Sequence, residues 1–140
     1  MKYIYLLLCS VLLTQKVAFA QKGKEKQHKV VIQLTTPDTA AYRALSKQLN
    51  NLTNVWKDVD VVVVVHNKGI NMLRKATCNI SDEIKQLSGR GVKFIACEFT
   101  MQQQKLTKDD MVEGISYTPY GLVEIITRQE NGYHYLKGGF

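Results

Sequence analysis

Short apolar runs punctuate the chain, and between them apolar residues recur at three- and four-residue steps. Residues 29–35 read KVVIQLT, rich in β-branched side chains, and predict a buried strand. A helix is expected next, with Thr36 as N-cap and Pro37 at its first position. Ala41, Leu45, Leu49 and Leu52 mark its buried face. Residues 59–67, VDVVVVVHN, hold five consecutive valines without polar alternation, so both faces of that strand are predicted to be covered. Gly69 opens a short helical stretch, and SDEIKQLSGRG (81–91) predicts a helix capped by Ser81 and ended near Gly89. VKFIAC (92–97) is the third buried strand. Two short helices, TMQQQKL and TKDDMV, follow, the second with a Thr107/Asp110 capping box. ISYTP (115–119) is a fourth strand, and YGLVEIITRQE a helix with Leu122, Ile125 and Ile126 facing inward, ended by Asn131-Gly132. YHYLK (133–137) reads as a final edge strand. Strand and helix alternate throughout, which predicts an α/β fold: a three-layer α/β/α sandwich on a mostly parallel sheet of about five strands.

The N-terminus changes the picture of where this domain works. Lys2, the apolar run Tyr3–Leu13 and Ala18-Phe19-Ala20 form the pattern of a secretory signal peptide cut before Gln21. The expected organisation is a signal peptide at 1–20, a basic flexible arm at 21–28 and one α/β domain at 29–140, exported and periplasmic. The apolar run falls short of the roughly 20 residues of a membrane span, so no stable span is expected after cleavage. Losing Lys2 and Lys16 with the signal lowers the formal charge from +7 to +5. Lys22, Lys24, Lys26 and Lys29 supply most of the rest, within QKGKEKQHK. The basicity therefore belongs to an arm and not to a groove, which argues against nucleic acid as a partner.

With Cys9 in the signal, Cys78 and Cys97 are the cysteines of the mature chain. In an oxidising compartment two cysteines allow a disulfide. A reactive thiol and an inert buried cysteine at position 97 are the other two readings, and the residues alone leave all three open. Sites in open α/β sheets gather beyond the carboxyl ends of the strands. Four such ends are legible: Thr35-Thr36, His66-Asn67-Lys68-Gly69, Cys97-Glu98-Phe99-Thr100 and Thr118-Pro119-Tyr120-Gly121. Cys97 precedes a predicted helix, whose unpaired N–H groups and dipole favour a thiolate; Glu98 opposes this by repulsion. His66 is either a hydrogen-bonded structural histidine or a polar group lining the site. The candidate set is Cys97 as the reactive group, with His66, Asn67, Gly69, Glu98, Thr100, Met101, Pro119 and Gly121 lining the rim. His28, His66 and His134 lack metal-ligand spacing, and no phosphate or dinucleotide fingerprint occurs, so neither metal nor cofactor is expected. Tyr117, Tyr120, Tyr133 and Tyr135 form an aromatic group for packing at an edge strand or a subunit contact.

Four stretches, VVVVVHNKGINML (61–73), GVKFIACEFTM (91–101), LTKDDMVEGISYTPYGLVEII (106–126) and QENGYHYLK (129–137), resemble the DsrE/DsrF-like sulfur-relay family. The resemblance runs in one order over most of residues 29–138. It implies a DsrE-like sandwich, assembly as a homotrimer or homohexamer, and persulfide sulfur on the cysteine matched by Cys97. Phe99 stands where family members often carry asparagine, and the glycine of the histidine-glycine turn is displaced to Gly69. The expected function is a persulfide carrier or thiol-based relay component working through Cys97, with backbone around Thr100-Met101 stabilising its charge. Such a protein hands sulfur to a thiol or persulfide protein partner and is a carrier more than a turnover enzyme. The alternative is a non-catalytic oligomeric α/β binding module.

Overall fold

The structure, a computed structural model, describes residues 27–139. The expected signal peptide, most of the expected basic arm and Phe140 lie outside the described residues. Strands and helices alternate as β1 (Lys29–Leu34), α1 (Thr39–Val55), β2 (Asp60–Val65), α2 (Ser81–Gly89), β3 (Lys93–Cys97), α3 (Glu98–Gln103), β4 (Ser116–Thr118), α4 (Gly121–Glu130) and β5 (His134–Gly138). Two 3-10 turns, Asn67–Met72 and Lys108–Asp110, complete the order.

The sheet runs β4-β3-β2-β1-β5, and every neighbouring pair is parallel. Parallel strands need crossovers, and their apolar sequences need cover on both faces. One face carries Val30, Ile32, Leu34, Val61, Val63, Val65, Phe94 and Ala96, buried with Leu45 and Leu49 of α1 and Ile84 and Leu87 of α2. The other carries Val31, Val62, Val64 and Ile95 against Ile125 of α4, with Tyr133 at its margin. The valine run of β2 is fully buried on both sides. β1 to β4 are laid down in one direction across the sheet, and α4 then returns the chain over the opposite face to β5 at the other edge.

Three local expectations are corrected. α1 begins at Thr39, not Pro37: Asp38 is its N-cap, accepting from the Ala40 N–H at 2.8 Å, while Thr36 Oγ1 accepts from the Asp38 N–H. An aspartate reaching N2 serves the orphan donors of the first turn, and Thr36 only steers the approach. Ser81 is the first residue of α2 and makes no cap; Ile80 occupies that position and is buried. Leu122 and Ile126 point outward, 58% and 54% exposed, and only Ile125 of the three enters the core. A single sheet face meets α4 along a narrow stripe, so one apolar row suffices. The Thr107/Asp110 capping box is present as expected.

Candidate functional site

The carboxyl ends of β1, β2, β3 and β4 meet at one rim. The His66 N–H donates to Leu34 O, carrying the end of β2 against β1. The Phe99 N–H donates to Pro119 O at 3.2 Å, joining the end of β3 to the turn after β4. Asn67, at φ 53°, starts the 3-10 turn; its N–H donates to Thr100 Oγ1 at 3.0 Å, and its carbonyl accepts from Gln104 Nε2 at 3.2 Å. These bonds lock the turn after β2 onto α3.

Cys97 is the last residue of β3 and the N-cap of α3. Its Sγ accepts from the Gly121 N–H at 3.3 Å and lies 4.0 Å from Pro119 O. The donor at the sulfur is therefore the first residue of α4 and not the Thr100-Met101 backbone. The Phe99 N–H in the first turn of α3 is already taken by Pro119 O. Gly121 is wedged between the two chemical side chains: a Cβ there would lie 3.2 Å from His66 Cβ and 3.3 Å from Cys97 Cβ. Glycine at this position is what lets a backbone N–H come within reach of the thiol.

Cys97 is only 4% exposed, and both Cys97 and Cys78 are free thiols. The disulfide reading is thereby corrected: no bridge links them. Cys78 is half-buried beside the main core, where desolvation pushes its thiol pKa up, with a contribution from Glu83.

His66 is half-buried and flanks Gly121 opposite Cys97, with Gln33 Nε2 2.8 Å from its Nε2. Tyr135 Oη in turn donates to Gln33 Oε1. Desolvation holds the His66 pKa below its ordinary value, which favours the neutral ring. The sequence reading omits Gln33 and gives Tyr135 only a packing role. The signal was present: Gln33 is the one polar residue inside an apolar strand, and it faces the same side as Tyr135 across the β1–β5 ladder.

The remaining rim residues divide by role. Gly69 is buried at the rim, where a Cβ would sit 2.5 Å from Leu34 O, so its lack of a side chain serves close packing. Glu98 pairs with Lys108 at 3.3 Å, which relieves its repulsion of the neighbouring sulfur. Thr100 is buried and fastens Asn67. Met101 is a core residue on the opposite side of the sheet from Ile125, not a rim residue. Pro119 and Gly121 frame the thiol. Phe99 and Tyr120, both exposed, approach ring to ring at 5.9 Å. Among the described residues, no three His, Cys, Asp or Glu side chains converge as a metal site would require, and no helix is long and apolar enough to cross a membrane.

The fold is shared with solved structures. A protein of unknown function, MTH1491, from Methanobacterium thermoautotrophicum is 29% identical and superposes with a TM-score of 0.75 over 79% of this chain and 99% of its own. A conserved protein of unknown function, BT1422, from Bacteroides thetaiotaomicron is 19% identical, with a TM-score of 0.62 over 78% and 93% of the two chains, and it shares the fold alone. No curated protein matches the chain. The sequence model of the DsrE/DsrF-like family matches residues 27–137, from the segment before β1 into β5, and the chain belongs to that family.

Proposed function

We propose that this chain is an exported sulfur-relay component that holds sulfane sulfur as a persulfide on Cys97. One observation carries the reading: at the carboxyl rim of the sheet the Cys97 sulfur accepts a backbone N–H from Gly121, the first residue of α4, and His66 also packs against Gly121. An N–H at a helix start stabilises negative charge on the atom it meets, and a thiolate or a persulfide anion is such an atom. In the loading step the Cys97 thiolate attacks the outer sulfur of a donor persulfide, R–S–SH. The donor S–S bond breaks, R–S⁻ leaves, and Cys97–S–SH forms with no net oxidation. A partner thiolate takes the outer sulfur by the same exchange. Because Cys97 is 4% exposed, loading requires the Pro119-Tyr120 turn beside it to open. Phe99 and Tyr120 give that turn an exposed aromatic surface for a protein donor or acceptor.

The experiment is intact mass spectrometry after incubation with a low-molecular-weight persulfide. The wild type should gain one sulfur atom, and Cys97→Ser should gain none. An unchanged wild-type mass under conditions where the same thiol is alkylated would reject the relay.

A second reading, a non-catalytic oligomeric binding module, is favoured by a different observation. α4 exposes Leu122, Val123 and Ile126 beside Tyr120, an apolar strip on a helix whose inner row is already buried. Strips of this kind mark contact surfaces. We assign this one to a second copy of the chain, as the homo-oligomers of the resemblance imply, with the Cys97 rim beside the contact. In this reading Cys97→Ala leaves assembly intact, and sulfur loading is absent.

A further inference from the structure

The rim contains a hydrogen-bonded row of side chains that sulfur chemistry at Cys97 does not by itself require. Tyr135 of β5, Gln33 of β1 and His66 at the end of β2 lie side by side on the sheet face under α4. Gln33 Oε1 takes the Tyr135 hydroxyl, and on the other end of the amide Gln33 Nε2 meets His66 Nε2 at 2.8 Å. An amide nitrogen has only protons to offer, so the ring nitrogen it faces must accept. The ring is fixed on the adjoining edge as well, because Gly121 packs against His66 Cβ and Cδ2. That leaves Nδ1 as the remaining polar atom, and among the described residues it has no protein partner.

We propose that Gln33 and Tyr135 are positioning residues that hold His66 as the neutral Nδ1–H tautomer, so that at this rim the imidazole is a hydrogen-bond donor and not a base. Nε2 is occupied by a donor and Nδ1 already carries the proton. A proton taken up at Nε2 would break the bond from Gln33, and burial opposes the charged ring in the same direction. His66 thereby keeps one N–H, at Nδ1, free to donate at this rim. The chemical class it suits is an anion with acceptor lone pairs, such as a persulfide or a carboxylate, and never a group that must lose a proton to the imidazole. This deepens the sulfur-relay reading by implying that the Cys97 proton leaves to solvent or to the incoming partner. The tautomer itself stands independently of that reading.

The test is nitrogen-15 NMR of the histidine side chains in the full chain, with His66 assigned by its loss in His66→Gln. In the wild type near neutral pH, Nδ1 should resonate as a protonated, pyrrole-type nitrogen and Nε2 as a bare, pyridine-type one. Gln33→Glu replaces the amide donor with a carboxylate acceptor, so the predominant tautomer should reverse to Nε2–H and the His66 titration midpoint should rise. Tyr135→Phe frees the amide to turn, and a mixture of the two tautomers should appear. A wild-type ring protonated at Nε2, or a Gln33→Glu ring still bare at Nε2, would overturn the assignment. The wild-type spectrum decides the question even where a variant fails to fold. Sulfur loading is read separately by mass, so loss of the relay reading and loss of the tautomer are told apart.

Discussion

A methyl group on Gly69 would lie 2.5 Å from Leu34 O, inside any real contact, and the atom it meets is backbone. Gly69→Ala should therefore lower stability by about 1–3 kcal/mol, the range for forced overpacking, read as a lower urea midpoint. Gly121→Ala meets side-chain atoms at 3.2–3.3 Å, which can yield by a few tenths of an ångström. Its cost in stability should be smaller, and its effect should appear as a changed alkylation rate at Cys97. His66 adds a pH dependence whose sign follows from its depressed pKa. The unfolded chain binds the proton more tightly, so the stability from the neutral ring is full above the reference value of about 6.5 and is lost as pH falls through the folded pKa. Thermal midpoints should drop across that window in the wild type and less in His66→Gln. At this scale the sequence reveals which residues gather at strand ends but not how deep they lie. Cys97 ends a strand, which promised access, yet the glycine of the neighbouring helix closes over it. The contribution of Gln33 and Tyr135 was hidden because their contact spans β1 and β5, far apart in the chain.

α4 is fastened to the sheet at its far end by polar bonds and not by apolar burial alone. Tyr133 Oη donates to Asp60 Oδ2 at 2.6 Å, Arg128 Nη1 donates to Tyr133 Oη at 3.0 Å, and Arg128 Nε donates to Glu124 Oε1 at 2.8 Å. Lys93 completes the cluster from β3, 3.1 Å from Asp60 Oδ1. Burial alone would raise the Asp60 pKa, but the hydrogen bonds from Tyr133 and Lys93 outweigh it and hold the carboxyl below its usual range. That stabilisation is present above the unfolded value of about 3.9 and is lost as pH falls through the folded one. Tyr133→Phe should cost about 1–2 kcal/mol at neutral pH and flatten the acid limb of the stability curve. The elements themselves were legible in order and type, because alternating β-branched runs and three- to four-residue periodicities leave little ambiguity. Boundaries shifted where a better cap lay nearby, as at Asp38. The inward face of α4 was misjudged because Leu122, Ile125 and Ile126 satisfy the same periodicity, and only the narrow contact with one sheet face selects Ile125.

At the scale of the molecule, the proposed self-association through α4 makes a direct prediction. Ile126→Asp puts a charge on the exposed strip without entering the core, so it should reduce the mass measured by light scattering after size-exclusion chromatography while leaving the thermal midpoint of the isolated chain nearly unchanged. A wild type that is monomeric at the same concentration would remove the contact. The layered architecture was readable because buried parallel strands demand helices on both faces, whereas the order β4-β3-β2-β1-β5 was not, since periodicity says nothing about which strands become neighbours. That order has a cost in time. The outer side of β1 finds its partner in β5, with Val30 matched to His134, about 100 residues later in the chain. Until then a ribbon of valine and isoleucine stands with its peptide groups unanswered, ready to template on any stranger. A nascent or truncated chain ending before Tyr133 should therefore precipitate or be held by chaperones, even though every other strand of the sheet is already in place.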